Sequence, residues 1–265
     1  MEAWHVVTLA LVQGLTEFLP VSSSAHLILL PYFAHWPDQG LTFDVAVHVG
    51  TLGAVVCYFR ESLRRMFRDW RASLKQRRPV GDSRLVWFVL FGTLPVAIAG
   101  AGLEWFVPGG LRSPLLIAAA TAGFGLLLWW ADAAGGQARD ERNMNWRDAL
   151  VIGGLQILAL IPGASRSGVT IMAGRALGLS RPAAARFSFL LSIPVIALAG
   201  GLKLVQALEA GAQTPWGALL LGALVAFLSA YACIHFFLRL IERMSLLPFV
   251  IYRLALGAAL FVLVV

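Results

Sequence analysis

The sequence predicts an all-α polytopic membrane protein, with six transmembrane helices plus two re-entrant helix pairs in an inverted-topology repeat. Three observations carry the prediction. Hydrophobic residues make up 59% of the 265 residues and charged residues only 13%, about half the ~25% charge of a soluble domain. Six apolar runs approach the ~20 residues that a hydrocarbon core requires. Two further apolar stretches are broken by Pro, Ser and Arg, which a plain span would lack. Everything falls in one integral membrane domain, with inverted halves at about 1–135 and 145–265.

In chain order, residues 5–33 are apolar but interrupted at Pro20 and by Ser22, Ser23 and Ser24. The stretch reads as a short helix entering, a backbone break at membrane depth and a second helix returning. Irregular backbone is tolerated there only when protein or a water-filled cavity surrounds it. Spans follow at 41–59, 86–107 and 114–131. The second broken stretch, 149–180, is interrupted at Pro162 and by Ser165, Arg166 and Ser167. Spans at 187–205, 216–238 and 246–265 complete the chain. Three spans separate the two pairs, so the second half is inverted relative to the first, an architecture that puts a site near the bilayer midplane. A weak echo agrees: a shift of 143 residues overlays Gln13 on Gln156, Ser22 on Ser165 and Ser24 on Ser167.

Lys and Arg set the expected orientation. The segment 60–84 carries nine of them, and Arg139, Arg142, Arg147, Arg175, Arg181, Arg186, Arg239 and Arg243 fall on the same side. Arg112 and Lys203 fall on the other. The rich side is cytoplasmic by the positive-inside rule, so both termini face outward. Trp36, Trp105 and Trp216 sit near the outer interface, and Trp70, Trp87, Trp129, Trp130 and Trp146 near the inner one. The 60–84 segment reads as a cytoplasmic loop drawn to anionic lipid head groups, and no nucleic-acid partner is expected, because the loop is too short for a folded reading surface. The start of the chain, with Glu2 and no basic stretch, does not read as a cleavable signal. Cys57 and Cys233 read as buried thiols.

The chemistry concentrates in the two breaks. An arginine at membrane depth is costly and marks a site by default. In PGASRSGVT (162–170), Arg166 lies between Ser165 and Ser167, with Thr170 closing the motif. Guanidinium and hydroxyl donors suit a phosphate. In QGLTEFLPVSSSAH (13–26), Gln13 and Glu17 share a helix face. A carboxylate beside an amide oxygen suits Mg²⁺ or Ca²⁺ once phosphate oxygens complete the shell. Ser23 is a candidate nucleophile, His26 a proton carrier and Ser22 a substrate contact. Brought together, Glu17, Ser23, His26 and Arg166 form a catalytic set suited to phosphoryl transfer. Gln13, Ser22, Ser165, Ser167 and Thr170 are the expected substrate contacts. Asp44 and His48 either border the mouth of the site or stabilise their helix. Arg253 snorkels or ties helices together; His5 and His35 read as interfacial and His235 as structural.

With FDVAVHVGTLGAVVCYFR (43–60) and FSFLLSIP (187–194), these motifs resemble the undecaprenyl-diphosphate phosphatase family of the bacitracin-resistance type, in order over nearly the whole chain. The resemblance implies hydrolysis of undecaprenyl diphosphate to the monophosphate carrier lipid. It implies a divalent cation and a site on the outer face of the bacterial plasma membrane. The family's serine, histidine and arginine positions fall on Ser22, Ser23, His26 and Arg166. Its paired acidic motif admits Glu or Gln at the first position; Gln13 here leaves Glu17 as the one carboxylate. Expected partners are the polyprenyl diphosphate substrate and membrane lipids, with a homodimer left open. A polyprenyl-phosphate flippase or transporter using the same inverted-repeat site is the alternative.

Overall fold

The computed structural model describes residues 2–106, 113–136, 139–209 and 216–264. Arg112 and the side chains of Trp105 and Lys203, all used in the orientation argument, lie outside the described residues. The described chain is helical and contains no strand, only an isolated bridge between Arg139 and Leu179.

The first broken stretch folds as α1 (Ala3–Thr16) and α2 (Ser23–Ala34). Their 14 and 12 residues reach roughly 21 and 18 Å at ~1.5 Å per residue, short of a ~30 Å core. The second folds as α7 (Trp146–Leu155), a 3₁₀ turn over Gln156–Leu160, and α8 (Arg166–Ala176). Asn145 and Asp148 cap the start of α7 reciprocally, satisfying two of its otherwise unpaired N–H groups.

The expected spans all come out helical: α3 (Leu41–Tyr58), α5 (Ser83–Phe106), α6 (Pro114–Ala134), α9 (Arg181–Glu209), α10 (Trp216–Ile241) and α11 (Leu247–Val264). Four of them, α5, α6, α9 and α10, are long and apolar enough to cross a bilayer by themselves. The helix α3 turns by 72° into α4 (Arg60–Gln76), and this bent pair is a fifth candidate span. The helix α11, with 18 residues, reaches roughly 27 Å.

The segment 60–76, expected as part of a loop, is thus a helix. Its charges recur so that Met66 and Ser73 turn inward while the arginines face out, the pattern of a helix lying along an interface.

Small residues let the helices meet backbone to backbone. A Cβ added to Gly50 of α3 would collide with the Ala223 carbonyl of α10, and one on Gly153 of α7 with the Gly92 carbonyl of α5. The helix α10 packs against α1 and α3, and α11 against α6, so each sequence half builds on the other.

Two buried arginines hold this arrangement. Arg175, fully buried, donates to Asp132 Oδ1 at 3.0 Å and to the carbonyls of Asp132, Gly135, Gly136 and Leu179. Asp132 also accepts from Arg181 at 2.7 Å and from the Leu246 N–H at 3.0 Å, which joins the ends of α6 and α8 to the starts of α9 and α11. Sequence patterning counts Arg175 only toward the charge-rich side; the structure makes it an internal clamp, because its donors have carbonyls and a carboxylate to meet. Arg253, also fully buried, reaches the two breaks. It donates to Pro20 O at 3.1 Å, Gly163 O at 2.9 Å, Ala164 O at 3.0 Å and Thr121 O at 3.0 Å. Broken helices leave carbonyls such as those of Pro20, Gly163 and Ala164 without intrahelical partners; Arg253 satisfies these, ties the breaks together and holds them to α6 through Thr121.

Candidate active site

The two breaks share a backbone geometry. Ser22 and Ser165 each precede a returning helix and each has positive φ, 73° and 70°. A side-chain-bearing residue seldom adopts that region, and where it does the surroundings hold it there. Ser22 Oγ lies 3.3 Å from Ser24 Oγ, and Ser165 Oγ 3.1 Å from Ser167 Oγ. These positions are the ones the sequence echo overlays. Ser167 donates to the Leu19 carbonyl at 2.7 Å, so the second break is bonded directly to the first.

Between them lies a cavity of about 330 Å³. Glu17, Ser22, Ser23, Ser24, Ser165 and Arg166 line it together with Asp44 and His48, and α9 contributes the apolar Val195, Ile196 and Ala199. The first turns of α2 and α8 both border this space, so two positive helix ends converge on it, as an anion requires.

Glu17 is the centre of the hydrogen bonding. Its Oε1 accepts from Arg166 Nη2 at 2.9 Å; its Oε2 accepts from Ser23 Oγ at 2.7 Å and from Gln13 Nε2 at 3.0 Å. His48 Nε2 lies 3.8 Å from the same Oε2. Arg166 Nη1 donates to the Ser188 carbonyl at 3.1 Å, and its guanidinium carbon lies 5.9 Å from the centre of the Phe18 ring. With one bond from each of Nη1 and Nη2 committed, the guanidinium keeps donors for an anion in the cavity.

The other sequence candidates divide. Ser22, Ser23 and Ser165 line the cavity; Gln13, Ser167 and Thr170 stand behind it. Gln13 turns its amide nitrogen toward Glu17, and its buried Oε1 has no hydrogen-bond partner. Thr170 Oγ1 is taken up by the Arg166 carbonyl at 2.8 Å and Ser188 Oγ at 2.7 Å. His26 is not among the residues lining the cavity. Its Nδ1 meets the Ser22 carbonyl at 2.7 Å and so carries the proton, and its Nε2 accepts from Tyr252 Oη at 2.5 Å, the two rings stacked within 9°. His48, left undecided between mouth and scaffold, borders the cavity. Tyr252 and Ser188 carried no sequence signal, being an ordinary aromatic and an ordinary small residue in apolar runs.

A second cavity of about 660 Å³ lies around Arg60, Arg186 and Arg239 and contains none of these residues. The rings of Phe18, Phe189 and Phe59, with centres 5.1 and 6.4 Å apart in succession, run from beneath Arg166 to its wall.

Residues 6–259 match the family model described as Bacitracin resistance protein BacA. The chain belongs to this family. Among its BacA-family relatives, Undecaprenyl-diphosphatase 2 of Stutzerimonas stutzeri is 59% identical over 99% of this chain and 98% of its own length. The Undecaprenyl-diphosphatase of Nitrosococcus oceani is 59% identical over 99% of both chains, and that of Thioalkalivibrio sulfidiphilus 55% identical over 97% of both. The match over residues 6–259 includes both breaks.

Proposed function

We propose that this chain hydrolyses undecaprenyl diphosphate to undecaprenyl phosphate and inorganic phosphate, returning the carrier lipid to cell-wall synthesis and giving resistance to bacitracin. The names of its full-length relatives support the reading, and one observation carries it. Ser23, Glu17 and Arg166 form a continuous hydrogen-bonded set on the wall of a cavity where two helix N-termini meet.

The residues divide the work by chemistry. Arg166 and the N–H groups opening α2 and α8 hold the diphosphate. Glu17, within 2.7 Å of Ser23 Oγ, accepts the hydroxyl proton as that oxygen attacks the terminal phosphorus. The bond from phosphorus to the bridging oxygen breaks, and undecaprenyl phosphate leaves. Water then releases phosphate from Ser23. Arg166 offsets charge on the phosphoryl oxygens throughout. Ser165 and Ser22 border the same anion. Gln13 and Ser167 hold the polypeptide around it, Thr170 fixes the first turn of α8, and His26 anchors the start of α2 to Tyr252 on α11.

A divalent cation, Mg²⁺ or Ca²⁺, fits the donors present. Glu17 would hold it, with Gln13 behind, whose buried Oε1 lacks a partner; diphosphate oxygens would complete the shell. When bound, the ion neutralises charge on the diphosphate.

In the membrane, six spans and two re-entrant pairs form an inverted repeat. The matching geometry at Ser22 and Ser165 favours that arrangement. Both termini and the site face the outer side of the bacterial plasma membrane. The flippase alternative needs a route past Phe18, Phe189 and Phe59, which are packed together here.

The test is phosphate release from undecaprenyl diphosphate by purified wild type, Glu17→Ala and Arg166→Ala, with EDTA as a control. Release by wild type alone, abolished by EDTA, is expected. Folded variants with full activity would overturn the site, and a wild type that moves lipid without releasing phosphate would establish the alternative.

A further inference from the structure

We propose that His48 is a protein ligand of the divalent cation, sharing the ion with Glu17; the phosphatase reading enters only as the source of the substrate oxygens that complete the shell. The first observation is the orientation of the ring. His48 Nδ1 lies 2.6 Å from the Asp44 carbonyl, four residues earlier on α3. A carbonyl can only accept, so Nδ1 carries the hydrogen and the neutral ring's lone pair sits on Nε2. A metal-bound histidine is usually fixed in this way, one nitrogen donating to a carbonyl or carboxylate while the other faces the ion.

The second observation is what Nε2 faces. It lies 3.8 Å from Glu17 Oε2, beyond hydrogen-bond range. Two ligands each ~2.1 Å from one ion lie at most ~4.2 Å apart, so one cation can bridge this gap. Both residues line the 330 Å³ cavity. The histidine favoured by the sequence offers no such nitrogen, since His26 commits both, to Ser22 and Tyr252.

The third observation is the donor balance at Glu17. Gln13 presents an N–H, not an oxygen, to Oε2. Gln13 stands behind the cavity lining, whereas the His48 imidazole lies on it and offers a neutral nitrogen beside Glu17. Among the described residues no three His, Cys, Asp or Glu side chains form a closed metal cluster. The protein thus supplies two ligands, and water or phosphate oxygens the rest, as is usual for ions that assist phosphoryl transfer.

The probe is Mn²⁺ added to the EDTA-stripped full-length protein, read by electron spin-echo spectroscopy and by titration of free Mn²⁺. Bound Mn²⁺ is expected to show imidazole ¹⁴N modulation. His48→Ala and the closer-sized His48→Gln should lose that modulation and weaken Mn²⁺ binding by about tenfold or more, with melting temperatures near that of wild type. The proposal is overturned if wild type binds no Mn²⁺, if bound Mn²⁺ lacks ¹⁴N coupling, or if the coupling persists in His48→Ala. Phosphate release on the same preparations separates the two readings. Release without ¹⁴N coupling removes only the ligand role of His48, whereas ¹⁴N coupling without release removes only the hydrolase reading.

Discussion

Arg166 Nη2 stands 2.9 Å from Glu17 Oε1, across 149 residues of sequence. The two side chains are 12% and 8% exposed, so each is the other's main compensation for leaving water. The same contact puts a cation beside the carboxylate that bonds Ser23. Removing Arg166 therefore acts on both stability and chemistry. Arg166→Ala should lower phosphate release by about 10²–10³-fold, the usual cost of one oxyanion-stabilising donor. It should also cost about 3–5 kcal/mol of stability, because Glu17 is left buried without its partner. Replacing both, as Glu17→Gln with Arg166→Met, should recover much of the melting temperature and none of the activity. Thermal melts with phosphate assays on the three proteins check this.

Ser23 Oγ donates to Glu17 at 2.7 Å, so attack by Ser23 predicts a phosphoserine intermediate. Rapid acid quench with labelled undecaprenyl diphosphate should trap phosphate on Ser23. Ser23→Ala should trap none and should release phosphate at least about 10²-fold more slowly. An active Ser23→Ala would make water the nucleophile.

Arg253 gathers four carbonyls from three places: Pro20, Thr121 and the Gly163–Ala164 turn. Each buried acceptor left bare costs about 1–3 kcal/mol. Arg253→Met should therefore be among the most destabilising single changes, seen as a large fall in melting temperature and in yield of folded protein. Arg253→Lys should rescue little, since an ammonium lacks the planar fork that spans these acceptors.

The close crossing of α7 and α5 makes a paired prediction about packing. Gly153→Ala forces a Cβ against the Gly92 carbonyl and should cost about 1–3 kcal/mol. Gly123→Ala in α6, where a Cβ meets nothing within 4 Å, should be neutral or slightly stabilising by helix propensity. Melting temperatures of the two variants against wild type decide it.

Glu141, in the connection between α6 and α7, gives a pH prediction. Burial, aided by a hydrogen bond to Asp140, pushes its carboxyl up to about 7. The unfolded chain releases this proton near ~4.3. The folded state thus binds the proton more tightly, and the resulting stabilisation is full below ~4.3 and lost as pH rises through about 7. Melting temperature should fall between pH 5 and pH 8 in wild type. In Glu141→Gln the fall should be smaller, and an unchanged slope would refute the assignment.

Much of this architecture was legible in the chain. The breaks at Pro20 and Pro162 interrupt long apolar runs, and the membrane tolerates such interruptions only where protein or a water-filled cavity surrounds them. Ser22 and Ser165 were paired by a spacing and turned out to share an unusual backbone. The 60–76 segment folds as a helix where its charge density reads as loop; buried Met66 and Ser73 reveal the face that only packing defines. The burial of Arg175 is not legible for the converse reason: its acceptors on α6 lie some forty residues away in sequence.

The sequence by itself determined that this is a helical membrane protein with two broken apolar stretches, and it singled out Glu17, Ser23 and Arg166 as the candidates for its chemistry. Those conclusions follow from solvation: charges and helix breaks cannot survive in hydrocarbon without a purpose. Tertiary structure decided which partners the side chains meet. It turned His26 toward Tyr252 and brought His48 to Glu17, it faced the Gln13 amide nitrogen to the carboxylate, and it set Arg253 on the carbonyls of both breaks. Those choices depend on rotation and proximity of helices far apart in sequence, which residue type and spacing do not encode.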